Sequence, residues 1–287
     1  MSIGTVAVIG GGTMGSGVAL TVATSAMNAI IVDINDEQLE IAKTYHNKQL
    51  DRSVSKERMT QQEADEAKAR LSYATSMEEA SGSDWVVEAA TENIEIKKSI
   101  FAQMFKTFRD DVVLATNTSS ISITDLASSI PSAARRVIGM HFFNPVPVMK
   151  LVEVIRGKET SEETTTATVA LAEAMGKTPI TANDFAGFVS NRVLMPMINE
   201  AFHAWSDGVA QPEDIDSIMK LGCAFPMGPL RLADYIGLDV CRDIMMVMYN
   251  GLGEDPKYLP NKKLVELVEG GHLGDKSGSG VYKHDEG

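Results

Sequence analysis

Val6-Ala7-Val8-Ile9-Gly10-Gly11-Gly12-Thr13-Met14-Gly15 decides how the chain is read. A short, β-branched apolar run that stops at consecutive glycines predicts a buried strand and a tight turn, with a helix starting near Met14. The same alternation recurs downstream. Ala29-Ile30-Ile31-Val32 closes on Asp33, and helix-favouring residues run from Asp36 to about Lys48. Trp85 to Ala90 predicts a strand, Ile94 to Phe108 a helix, and Val112 to Thr116 a strand followed by a polar loop over Asn117 to Ser120. Arg136 to Met140 runs as a strand into His141, and Leu151 to Ile155 predicts the next. Continuous apolar runs separated by helices indicate a buried, mostly parallel sheet. From about Ala186 such runs vanish, and Val189 to Trp205 and Pro212 to Leu221 carry helical periodicity. The expected architecture is therefore α/β, with a Rossmann-type, mostly parallel sheet domain over residues 1–185 and an all-α domain over 186–287. Residues Gly270 to Gly280 are expected to form a loop.

Gly10, Gly12 and Gly15 satisfy G-x-G-x-x-G directly between strand and helix, with an acidic residue at the end of the following strand. In that context Gly10 permits the turn, Gly12 lets a pyrophosphate approach the backbone, and Gly15 lets helix and strand pack closely. The amides at the helix start, around Thr13 and Met14, supply donors. Asp33 is placed to accept from the adenosine ribose hydroxyls, and its charge repels a 2′-phosphate, which favours NAD over NADP.

Composition limits the rest. Among 287 residues, 44% are hydrophobic and 23% charged, as in ordinary globular proteins. Lysine and arginine number 26 against 39 acidic residues, a net charge of −13, which argues against nucleic-acid partners. Cys223 and Cys241 are the two cysteines and sit in no metal-binding pattern, so no metal is expected. The N-terminus lacks a secretory signal and no apolar run reaches membrane-spanning length, so a cytoplasmic or organelle-matrix location without membrane association is expected.

Glu153 sits inside Leu151-Val152-Glu153-Val154-Ile155, where apolar neighbours predict burial, and a buried carboxylate needs a partner. His141, at the end of the preceding strand, is the candidate. A carboxylate on one imidazole nitrogen fixes the tautomer and leaves the other nitrogen to move a substrate proton. A core histidine with backbone partners and a solvent-facing glutamate is the alternative.

The segment His141-Phe142-Phe143-Asn144-Pro145-Val146-Pro147-Val148-Met149-Lys150-Leu151-Val152-Glu153-Val154 resembles the signature of the L-3-hydroxyacyl-CoA dehydrogenase family. Asn117-Thr118-Ser119-Ser120, Gly187-Phe188-Val189-Ser190-Asn191-Arg192 and Gly228 to Asp239 are similar to that family in order and spacing, so the resemblance covers the chain. It implies that His141 is the general acid–base and Glu153 its orienting partner, with Ser119 and Asn191 holding the substrate oxygens. It also implies cofactor contacts from Glu92, Lys97, Asn117 and Ser119, and a supporting role for Asn144 in the same site. The overall charge is wrong for coenzyme A, but Lys48, Arg52 and Lys56 stand at i, i+4 and i+8, and the resemblance places CoA-binding cations here, Lys56 foremost and Arg52 beside it; a solvated helical face neutralised by Asp51 and Glu57 is the alternative, above all for Lys48 and Arg52. The implied substrate is an acyl-CoA, with the 3-hydroxybutyryl-CoA dehydrogenases similar in length. The helical domain is similar to a dimerisation domain, implying a homodimer or higher homo-oligomer. A free hydroxy-acid dehydrogenase of the gulonate type and a non-catalytic NADH-binding structural protein remain the alternatives. His46, His203, His272 and His284 receive no carboxylate partner from the sequence, and the methionines of the helical half are expected in a core or interface.

Overall fold

The structure is a computed structural model that describes residues 4–284. The chain forms two compact units, one ending at Asp184 and the other beginning at Phe185.

The first unit runs β1 (Thr5–Ile9), α1 (Thr13–Thr24), β2 (Asn28–Val32), α2 (Asp36–Ser55), α3 (Gln61–Ala69), β3 (Leu71–Ala74), β4 (Trp85–Glu88), α4 (Ile94–Thr107), β5 (Val113–Thr116), α5 (Ile123–Ser128), β6 (Val137–Phe142), β7 (Leu151–Arg156), α6 (Glu162–Ala174) and β8 (Thr178–Asn183). The strands form one sheet in the order β3-β2-β1-β4-β5-β6-β7-β8. All neighbours are parallel except β6 and β7, which run antiparallel. The apolar runs become strands because they are covered on both faces: Val6, Ala7, Val8, Val86, Val87, Leu114 and Ala115 are fully buried. Strand order reverses between β1 and β4, so a crevice opens beyond their C-terminal ends, where ligands of such sheets bind.

Helix starts are marked by polar caps. The Asn35 side chain accepts from the amides of Glu37 and Gln38, Thr60 and Glu63 form a reciprocal capping box, and Asn93, Ser122 and Ser161 cap α4, α5 and α6. Helix α1 differs, because Gly12 stands at its N-cap with no side chain to satisfy its first amides.

The second unit contains α7 (Ser190–Ser206), α8 (Pro212–Cys223), α9 (Pro229–Ile236), α10 (Leu238–Gly251) and α11 (Lys262–Glu269). Met195, Met245 and Met248 are buried in its core beside Phe202, Leu230 and Leu264, while Met197, Met219 and Met246 are half-buried. The glycine-rich tail is tied down. Asp234 accepts from the amides of Val281 and Tyr282, and Asp216 accepts from the Tyr282 hydroxyl. His284 has carboxylate partners that its sequence context did not reveal: Asp234 at 2.8 Å and Asp275 at 3.3 Å. Asp234 lies 50 residues away in sequence, so only the folded tail brings the pair together. Among the described residues, no helix is long and apolar enough to cross a membrane.

Candidate active site

The glycine turn has the geometry that its sequence demands. Gly10 adopts φ +108°, and a Cβ there would lie 2.7 Å from the Ala89 carbonyl oxygen. A Cβ on Gly15 would lie 1.9 Å from the Gly10 carbonyl oxygen, so helix and turn pack at a distance that only glycine allows. Gly12 is different, since nothing lies within 4 Å of where its Cβ would be. The first helical hydrogen bond runs from the Ser16 amide to the Gly12 carbonyl, which leaves the amides of Thr13, Met14 and Gly15 ahead of it. An open backbone surface with uncapped helical amides fits a pyrophosphate.

Asp33 ends up beside this turn. One carboxylate oxygen accepts from the Gly11 amide at 2.8 Å and the other from the Asn35 amide at 3.0 Å, so its orientation is fixed from both sides. The Gly11 carbonyl in turn accepts from the Ser16 hydroxyl and from the Gln38 side-chain amide, at 2.9 and 2.8 Å. Gln38 is a contributor that the sequence did not disclose, because a glutamine in an exposed-looking helical turn carries no local signal.

Beyond the ends of β4 and β5, Glu92 gathers a polar turn. Its Oε1 accepts from the hydroxyls of Thr118, Ser119 and Ser120 and from the amides of Ser119 and Ser120. Burial alone would raise the Glu92 carboxyl. The Lys97 ammonium 3.6 Å away and these hydrogen bonds outweigh it and hold the group below the usual carboxylate range. Lys97 is itself buried, and its ammonium is bonded to both oxygens of Glu88 at 2.7 Å. Asn117 accepts from the Phe142 amide at 2.9 Å, which ties the end of β5 to the residue after His141.

His141 and Glu153 stand directly opposite each other in the β6–β7 register. The antiparallel turn of the chain between these strands is what makes a cross-strand pair from residues 12 apart. His141 Nδ1 lies 2.7 Å from Glu153 Oε2, both residues are buried, and the Phe143 ring packs 4.6 Å from the imidazole. An ionised carboxylate only accepts, so opposite one Nδ1 is the protonated ring nitrogen.

Asn144 is exposed in the loop after β6. Asn191 is buried in the first turn of α7, in the second unit. Lys48 and Arg52 are exposed on α2, and Lys56 is the exposed residue capping its C-terminus, its amide bonded to the Arg52 carbonyl. Glu88 is the other residue that sequence reasoning passed over. It closes the apolar run Trp85-Val86-Val87, and the burial argument applied to Glu153 applies to it equally.

Residues 5–185 match the NAD binding domain of 3-hydroxyacyl-CoA dehydrogenase and residues 187–284 match the C-terminal domain of the same family. The chain is 49% identical over 286 residues to the "Probable 3-hydroxybutyryl-CoA dehydrogenase" of Bacillus subtilis (strain 168), covering 100% of this chain and 99% of that protein. It is 42% identical over 280 residues to the 3-hydroxybutyryl-CoA dehydrogenase of Clostridioides difficile, covering 98% and 99%. The crystal structure of (S)-3-hydroxybutyryl-CoA dehydrogenase from Ralstonia eutropha superposes with a TM-score of 0.96 at 48% identity, covering 99% of this chain and 100% of that one. With both family domains matched in order around a glycine turn and a buried His–Glu pair, this chain belongs to the 3-hydroxyacyl-CoA dehydrogenase family.

Proposed function

We infer that this protein is an NAD-dependent oxidoreductase that interconverts (S)-3-hydroxybutyryl-CoA and acetoacetyl-CoA. The observation that carries the reading is the buried 2.7 Å His141–Glu153 pair in the same sheet as an NAD-type glycine turn, in a chain similar over its whole length to 3-hydroxybutyryl-CoA dehydrogenases.

When bound, the nicotinamide cofactor supplies hydride acceptance and donation at its ring. The amides of Thr13, Met14 and Gly15 and the open backbone at Gly12 hold its pyrophosphate, and Asp33 takes the adenosine ribose. In oxidation, His141 Nε2 accepts the proton of the 3-hydroxyl as the C3–H bond breaks, and in reduction it returns that proton. Glu153 keeps the imidazole in its Nδ1–H form and stabilises the imidazolium as it develops. Ser119 and Asn191 hold the substrate oxygens. Glu92, Lys97 and Asn117 line the cofactor side, and Asn144 supports the geometry around His141. Lys56, with Arg52, offers the local positive charge for the CoA phosphates in a chain whose net charge is −13. The helical unit provides a homo-oligomeric interface, and the enzyme works in the cytoplasm.

The test is NADH oxidation followed at 340 nm with acetoacetyl-CoA, run in parallel with NADPH and with free acetoacetate. Turnover with NADH and the thioester, and far less with NADPH or the free acid, is expected. Inertness toward the thioester with turnover of free hydroxy acids would overturn the substrate assignment, and an NADPH preference would overturn the reading of Asp33.

A further inference from the structure

Glu88 is fully buried at the C-terminal end of β4 and receives four hydrogen bonds. Its Oε1 accepts from the Ala90 amide at 2.6 Å, and its Oε2 from the hydroxyl of Thr116, the residue opposite it in the β4–β5 register, at 2.6 Å. Both oxygens accept from the Lys97 ammonium.

These bonds lead to the two halves of the site. The Ala89–Ala90 backbone lies against the nucleotide turn, since a Cβ on Gly10 would sit 2.7 Å from the Ala89 oxygen and 3.0 Å from the Ala90 nitrogen. Lys97 leads to the other half through Glu92, whose Oε1 collects the turn at Thr118, Ser119 and Ser120. Among the described residues, the charged groups within ion-pair distance of the buried ammonium are Glu88 and Glu92, and Glu95 on α4 pairs with Lys98 instead. A buried ion pair is weak evidence for stability by itself. A carboxylate that takes four hydrogen bonds from three donors, joining two functional turns, has a more specific use.

We propose that Glu88 is a positioning residue for the dehydrogenase reaction: by neutralising and fixing Lys97 and anchoring Ala90, it holds the Ser119 turn and the nucleotide turn in register. The proposal rests on the function inferred above. With a neutral group at position 88, Lys97 keeps Glu92 as its counter-ion, 3.6 Å away, and a buried amine short of opposing charge sheds its proton as pH rises. Glu92 then loses the cation that holds it, and the Ser119 turn relaxes. A merely structural role would lower the folded fraction without this pH signature.

The experiment compares wild type, Glu88→Gln and Glu88→Gln/Lys97→Met from about pH 6 to about pH 9. Two quantities are read: kcat/KM for acetoacetyl-CoA reduction, and the Kd for NADH by fluorescence titration, with circular dichroism confirming the fold at each pH. For Glu88→Gln, the deficit relative to wild type is expected to grow by about tenfold or more from the acid to the alkaline end, the scale of loss that displacing a substrate-positioning group by less than about 1 Å brings. The NADH Kd ratio should grow in the same direction. In the double variant no amine titrates at position 97, and both ratios stay constant with pH. A constant ratio for Glu88→Gln in both readouts overturns the proposal, as does a double variant that follows the single one. Absence of wild-type turnover would count against the substrate assignment alone, and the NADH ratios would still decide the role of Glu88.

Discussion

Replacing His141 with glutamine should leave NADH binding close to wild type and reduce turnover by about 10²–10⁴, the range contributed by a positioned general acid–base. Glutamine fills similar space and its amide can still donate to Glu153, so the buried carboxylate keeps a partner. What disappears is a group that can both take and return a proton where Nε2 stands. The variant therefore separates chemistry from folding, with kcat from the 340 nm assay, NADH Kd from fluorescence and thermal unfolding measured on one preparation. Turnover within a few-fold of wild type would remove His141 from the mechanism.

Gly15→Ala should produce the other large effect, this time on cofactor binding. The added methyl would begin 1.9 Å from the Gly10 carbonyl oxygen and 3.4 Å from Val8 Cγ1, so the turn must shift away from α1. Overpacking of this kind costs about 1–3 kcal/mol in stability. The displaced atom is the carbonyl oxygen of Gly10, which sits at φ +108° in the turn leading into α1. The amides of Thr13, Met14 and Gly15, assigned above to the pyrophosphate, therefore move with it. An NADH Kd raised by at least about tenfold is expected, since 1.4 kcal/mol corresponds to that factor. Gly12→Ala makes the instructive comparison: its Cβ meets no protein atom within 4 Å, so it should fold normally and weaken NADH alone.

The sequence was most informative where one physical requirement acts on one residue type. Glycines between a buried strand and a helix made the nucleotide turn legible, and the apolar neighbours of Glu153 made its burial and need for a partner legible. Both rest on local rules. Elements went unread where local rules are silent: β8 is largely exposed at the sheet edge and carries Pro179 and polar residues in place of an apolar run. Helix α3 and strand β3 are short and polar-rich, and their positions are set by packing against α2 and β2. The antiparallel direction of β7 was likewise invisible, since an apolar run looks the same in either direction. That direction is nevertheless what places Glu153 across from His141.

Glu88, Gln38 and the His284–Asp234 pair share another cause. Each acts through partners that the fold supplies from other elements. For Glu88 a signal existed, a carboxylate closing a fully buried strand, and its partner Lys97 lay nine residues ahead on the next helix. For Gln38 none existed, because its target is a backbone carbonyl 27 residues earlier.

His141 and Glu153 are expected to act as one unit in moving the substrate proton. A double-mutant cycle in kcat/KM for acetoacetyl-CoA reduction, built from His141→Gln, Glu153→Gln and the double variant, tests it most directly. Strong non-additivity is expected: once His141 is gone, losing Glu153 should cost almost nothing more, because its role is exercised through the imidazole. Additive losses, with Glu153→Gln costing as much in the His141→Gln background as in wild type, would break the pairing and give Glu153 a role independent of the histidine.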